Sequence, residues 1–176
     1  MKNTALLIMD VQNALIEAGP YNKIGFIENI QNLIHNARQN NIEIIYVQPD
    51  AALMGEGDWE IYHKITPEPT ERVFDKIHCS AFKETDLHCY LQDKGIKSII
   101  LVGISTELCI DTTCRVAFEY GYSVIIPEST TTTYDNEFFS GEALVNFYEK
   151  KIWNNRFAKV IPVSEIIEQM RKSMPT

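Results

Sequence analysis

Three residues of different chemical type, Asp10, Lys76 and Cys109, could together carry out acyl transfer if the fold brought them to one point. A thiol attacks carbonyl carbon as the thiolate, a form favoured by a nearby ammonium and by the partial positive charge of a helix N-terminus. A carboxylate at Asp10 could accept the thiol proton and return it to a leaving amine, and Lys76 would balance the charges. Backbone N–H groups around Ser105 and Cys109, at the opening of a helix, could hold the oxyanion of a tetrahedral intermediate. Taken singly, each residue has a plain structural explanation. Cysteine is among the most buried residue types, so position alone leaves Cys109 equally readable as packing. Asp10 could cap a segment, and Lys76 could be a solvated strand-end charge. Cys114, five residues on and inside the same helix, reads as packing, and Cys79 and Cys89 read as structural. The four cysteines contain no Cys-x-x-Cys pair and are read as free thiols.

The elements that must position these residues follow from the pattern of the chain. Apolar runs rich in β-branched residues alternate with segments of helical period, which predicts βα units and a mostly parallel sheet. Strands are expected over 5–9, 42–47, 72–74, 98–102, 123–126 and 158–161. Helices are expected over 25–40, 84–94, 107–120, 138–150 and 164–172. The first of these helices places Phe26, Ile27, Ile30, Leu33, Ile34 and Ala37 on one stripe. The expectation is one domain over 1–176, a three-layer α/β/α structure with a six-stranded, mainly parallel sheet. Asp10, Lys76 and Cys109 all fall just past strand ends, where open α/β sheets place their ligands. The stretch 48–69 reads as a long irregular loop of the kind that covers sites. Its Trp59 and Tyr62, together with Gln12 and the four threonines 130–133, are candidates for a substrate pocket. The threonine run itself reads as a polar loop.

Bulk properties exclude several functions. A chain of 176 residues, 45% hydrophobic and 23% charged, can bury one sizeable core. A formal charge of −8, with no basic run longer than Lys150-Lys151, argues against nucleic acid and anionic membrane surfaces as partners. The apolar run Ala5 to Met9 is too short for a signal-peptide core or a membrane span, so a cytoplasmic protein is expected. His35, His63, His78 and His88 are too scattered for a metal spacing and read as surface or loop residues. No cofactor is expected, and the partner is a small-molecule substrate.

Three stretches resemble the isochorismatase-like cysteine hydrolases, a family that includes nicotinamidases and streptothricin hydrolase. They are Ala5-Leu-Leu-Ile-Met-Asp10-Val-Gln-Asn13, Lys76-Ile-His-Cys-Ser-Ala-Phe82, and Gly103-Ile-Ser-Thr-Glu-Leu-Cys109-Ile-Asp-Thr-Thr113 followed by Ala117-Phe-Glu-Tyr-Gly-Tyr122. The resemblance implies a Rossmann-like fold and a catalytic triad of Asp10, Lys76 and Cys109. It also implies a non-proline cis peptide between Ile104 and Ser105 that aims the Ser105 N–H at the oxyanion, and a homo-oligomer, a dimer or tetramer. The implied reaction cleaves the C–N bond of a small amide, ureido compound or lactam through a thioester. The Asp-x-His metal motif of nicotinamidases is replaced here by Gln48-Pro-Asp50-Ala-Ala52, so a zinc site like theirs is not expected, and Tyr46-Val-Gln48, Trp59-Glu-Ile61 and Cys109-Ile-Asp-Thr-Thr113 resemble the metal-free subgroup containing streptothricin hydrolase. The family's Asp-Val-Gln-Asn-Asp-Phe is here Asp10-Val-Gln-Asn-Ala14-Leu15, so two side chains of the first loop differ. The alternatives are isochorismatase-type vinyl ether hydrolysis, a nicotinamidase-like amidase without its metal, and a binding domain that kept the fold. A serine hydrolase acting through Ser105 lacks the second glycine of a nucleophile elbow.

Overall fold

A computed structural model describes residues 1–172. The hydrophobic run Thr4–Met9 forms β1, buried at all six positions because strands pair with it on both sides and apolar layers cover both faces. A polar residue anywhere in this run would face one core or the other. Around it lie β2 (Glu43–Pro49), β3 (Arg72–Lys76), β4 (Ser98–Ile104), β5 (Ser123–Pro127), β6 (Thr131–Thr132) and β7 (Lys159–Ile161). The sheet order is β3-β2-β1-β4-β5-β7, with β6 attached to β4, and every pairing of these strands is parallel.

The helices are α1 (Asn13–Glu17), α2 (Lys23–Gln39), α3 (Leu87–Asp93), α4 (Asp111–Glu119), α5 (Gly141–Phe147) and α6 (Val163–Arg171). One core, with Leu7, Ile45, Leu91, Ile99, Cys114 and Trp153, lies on one face of the sheet. The other, with Leu6, Ile8, Phe26, Ile30, Leu33 and Met170, lies on the opposite face. The stripe expected on α2 is buried in full, and the buried Asn36 accepts from Arg171 Nε at 3.0 Å, tying α2 to α6.

The sheet has seven strands rather than six, and the extra one comes from the threonine run. Thr130 to Thr133 is not a polar loop: all four are at most 2% exposed, and Thr131–Thr132 pairs with Gly103 and Ile104 of β4. Burial of so polar a run is possible because three of the four hydroxyls find nearby acceptors, that of Thr131 having none among the described residues. Thr130 donates to the Pro127 carbonyl at 2.6 Å and Thr133 to the Glu107 carboxylate at 2.8 Å. The 48–69 stretch is also more ordered than its composition suggests. Gln12 bridges Ile61 in antiparallel fashion, and Asn13 and Ala14 donate to the carbonyls of Glu60 and Asp58 at 3.0 and 2.8 Å. Residues 58–62 of this segment are therefore pinned along the start of α1.

Candidate active site

The chain runs from β1 outward through β2 to β3, then crosses to β4 on the other side of β1. The reversal leaves a crevice beyond the carboxyl ends of β1 and β4, the place where α/β sheets bind ligands. A cavity of about 360 Å³ occupies that position. Asp10 follows β1 with a left-handed backbone (φ 53°), and its N–H donates to Val47 O of β2 at 2.9 Å. Lys76 is the last residue of β3, and its carbonyl accepts from the Asp50 N–H at 2.9 Å. Cys109 lies in a π-helical turn, Thr106–Ile110, between β4 and α4. Here the Leu108 and Ile110 amides both donate to the Ser105 carbonyl. The Ile104–Ser105 peptide is cis.

These three elements converge. Lys76 Nζ stands 2.9 Å from Asp10 Oδ2 and 3.4 Å from Cys109 Sγ, while Asp10 Oδ1 has no hydrogen-bond partner among the described residues. Asp10 and Lys76 are 4% and 5% exposed, so this is a desolvated ion pair. The thiol is half-buried. Thr113 of α4 holds the geometry from behind by accepting the Ala81 N–H at 3.0 Å, which fastens the segment after β3 to the helix that follows Cys109.

Burial raises the Asp10 carboxyl above its usual range, although the Lys76 ammonium pulls the other way. Lys76 is also raised, since Asp10 and Cys109 outweigh the effect of its own desolvation. Burial, with the Asp10 charge adding to it, pushes the Cys109 thiol up to about 12 despite the Lys76 ammonium. The Lys76 ammonium lowers the thiol, as expected from the sequence, but burial and the Asp10 charge outweigh it. The sequence places Lys76 beside the thiol but does not show that Asp10 is closer to satisfying that ammonium. A thiol raised in this way needs a base to take its proton as it attacks, and Asp10 is the carboxyl beside it.

Asp10, Lys76, Cys109, Ile104 and Ser105 all line the cavity. Gln12, Trp59 and Tyr62 do not. Gln12 is fully buried, with neither amide atom partnered among the described residues. Trp59 lines a separate cavity near Gly55 and Val73, where its indole donates to Gly55 O at 2.9 Å. Tyr62 packs against the α2 side of the sheet beside the His63 ring. The remaining lining comes from Leu15, Pro49, Asp50, Met54, Ile77, His78, Cys79 and Leu108. Several of these had a sequence signal, because Asp50 follows β2, Ile77 to Cys79 follow Lys76 and Leu108 precedes Cys109. Cys79, with Cys89, is exposed rather than structural, whereas Cys114 is buried. Among the described residues, no group of three or more His, Cys, Asp or Glu side chains could hold a metal ion, and no helix is long and apolar enough to cross a membrane.

A doubly wound α/β sheet with a Cys–Lys–Asp constellation at its switch point defines the class. The isochorismatase domain matches residues 4–165, and the chain belongs to the isochorismatase family. A secreted isochorismatase effector of Verticillium dahliae is 33% identical over 137 residues, 72% of this chain and 71% of that protein. A streptothricin hydrolase of Streptomyces noursei is 31% identical over 140 residues, 74% of this chain. The chain spans about half the length of the streptothricin hydrolases it matches, 50% in this case. A crystal structure of an isochorismatase family protein, 31% identical, superposes with a TM-score of 0.84 over 91% of this chain and 98% of that one. A cysteine hydrolase from Pseudomonas syringae pv. phaseolicola shares the fold, with a TM-score of 0.89 at 21% identity over 98% of this chain and 94% of that one.

Proposed function

We propose that the protein hydrolyses the C–N bond of a small amide, ureido compound or lactam through a thioester on Cys109. The observation that carries this reading is the shared lysine: Nζ within 3.4 Å of the thiol and 2.9 Å of one Asp10 oxygen, with the other Asp10 oxygen uncommitted. The names of two relatives support the reaction class. One is the streptothricin hydrolase above, and the other is a ureidoacrylate amidohydrolase of an Enterobacter species, 27% identical over 188 residues, 82% of each chain.

The steps follow from the groups present. Sγ attacks the carbonyl carbon as its proton passes to Asp10, so the C–S bond forms while the carbonyl π pair moves onto oxygen. Backbone N–H groups at Ser105 and Cys109 are the donors available to that oxyanion. The tetrahedral intermediate collapses, the C–N bond breaks, and Asp10 gives its proton to the departing nitrogen. Water then enters, Asp10 removes one of its protons, and the hydroxide displaces sulfur to release the acid and regenerate the thiol. Lys76 remains an ammonium throughout and stabilises whichever of Asp10 and Cys109 is negative. The raised thiol fits this sequence, because a base stands beside it to take its proton as it attacks.

The test is a panel of amides, ureido compounds and lactams assayed by ammonia or amine release, with mass spectrometry of acid-quenched protein. The expected result is turnover with an acyl mass added at Cys109, and loss of both in Cys109→Ala while the fold stays cooperative. Full turnover by Cys109→Ala would sink the covalent route and return vinyl ether hydrolysis to consideration.

A further inference from the structure

Charge is distributed unevenly around the Cys109 cavity. Its walls are largely apolar, contributed by Leu15, Pro49, Met54, Ile77, Ile104 and Leu108. The ionisable groups among the lining residues, apart from the two cysteines, are Asp10, Lys76, Asp50 and His78. Lys76 is the only Lys or Arg among them, and it is committed to Asp10 and Cys109. His78 Nε2 stands 3.1 Å from the carboxylate of Glu84, a residue outside the cavity lining. Asp50 is different. It follows β2 at the cavity wall, is half-buried, and uses one oxygen, Oδ1, to accept the Ala52 N–H at 2.9 Å. Among the described residues it forms no ion pair, and its second oxygen has no cation to neutralise it. The formal charges of Asp10 and Lys76 cancel, which leaves Asp50 to set the sign of the cavity, in a chain whose net charge is already −8.

We infer that Asp50 makes this a site for neutral or cationic substrates and excludes those carrying a carboxylate near the scissile bond. The inference rests on the amidase reading and narrows it. A carboxylate entering the cavity would meet Asp50 across apolar walls that screen little, with no free ammonium or guanidinium among the lining residues to receive it. An ammonium in the same place would gain an ion pair with the uncommitted Asp50 oxygen, and a neutral polar group could donate to it. Asp50 is thus a specificity-determining residue, and one the chemical steps themselves do not need.

Two measurements separate this inference from the reading beneath it. The first compares ammonia release from three amides of similar size: pentanamide, 4-aminobutanamide and succinamate. The second uses no turnover: Cys109 is alkylated with iodoacetamide or iodoacetate, located by peptide mapping, and each rate is normalised to that of 2-mercaptoethanol. The expected result is a normalised iodoacetate rate about tenfold or more below that of iodoacetamide, the size of effect one half-buried charge exerts at short range. Asp50→Asn, which retains an oxygen for the Ala52 N–H, should close that gap severalfold and raise succinamate relative to 4-aminobutanamide wherever the amides are cleaved. Equal normalised rates in the native protein, or a ratio indifferent to Asp50→Asn, would overturn the inference. A charge-selective thiol in a protein that cleaves none of the amide, ureido and lactam panel would instead count against the amidase reading.

Discussion

At the scale of single residues, the site is dominated by a desolvated ion pair, and such pairs are stable only as pairs. Asp10 and Lys76 are both at least 95% buried and 2.9 Å apart. Removing one partner leaves the other as an uncompensated charge in a weakly polar setting, a loss that typically costs about 3–5 kcal/mol. Lys76→Met should therefore destabilise the fold by roughly that amount in urea unfolding, as well as removing activity. Adding Asp10→Asn should restore most of the stability and none of the activity, because the double variant buries two neutral groups. A single variant with unchanged stability would mean that water reaches Asp10 far more freely than its 4% exposure indicates.

At the scale of elements, the reactive groups are placed by a sheet that leaves no room for a side chain at Gly103, where the site begins. Gly103 pairs with Met9 across β4 and β1 and has φ 134°. A Cβ built there would fall 1.9 Å from the Met9 carbonyl oxygen, which is backbone and cannot turn aside. Gly103→Ala must push β1 and β4 apart one residue before Asp10 and two before Ser105. A stability loss of about 3 kcal/mol or more is expected in urea melts, with a fall in kcat in whatever protein remains folded. Near-native stability and turnover in that variant would show that the two strand ends are free to shift. The same elements show what a sequence reader can and cannot see. The strand runs and the α2 stripe were legible because each has a period matched to one buried face. The convergence of Asp10, Lys76 and Cys109 was legible as strand-end positions on a switch-point topology. The threonine strand was not, because its burial depends on acceptors supplied by distant residues such as Glu107. Nor was the π-turn at Thr106–Ile110, since a two-amide bond to one carbonyl leaves no mark on hydrophobic spacing. Trp59 and Tyr62 were assigned to the pocket on the assumption that the 48–69 segment folds over the cavity. Backbone bonds to Val11, Asn13 and Ala14 hold residues 58–62 elsewhere, leaving Pro49, Asp50 and Met54 as its contribution.

At the scale of the whole molecule, the fold buries groups that would ionise in the unfolded chain at alkaline pH, and that couples stability to proton release. Cys114 is fully buried in one of the two cores. Burial first, and the Asp111 charge second, raise it from 9.0 to about 12 against the lowering effect of Arg115. Tyr134, packed against the other core, is raised by burial from 10.0 to about 12. A group whose folded value is raised contributes its full stabilisation below the unfolded value and loses it as the pH climbs toward the folded one. For Cys114 that window runs from 9.0 to about 12. Within it the unfolded chain has released the thiol proton and the folded chain has not, so stability falls by about 1.4 kcal/mol per pH unit for each such group. The net charge of −8 also becomes more negative over this range and adds a general repulsion, so the native slope alone would not isolate the thiol. Comparison with Cys114→Ala does. The variant should be less stable at neutral pH, because a small side chain is lost from the core. Its urea-derived stability between about pH 9.5 and 10.5 should nevertheless decline less steeply than that of the native protein, by about 1.4 kcal/mol per pH unit. Two parallel curves would mean that Cys114 ionises alike in both states, and that the core around α4 admits enough water to solvate a thiolate.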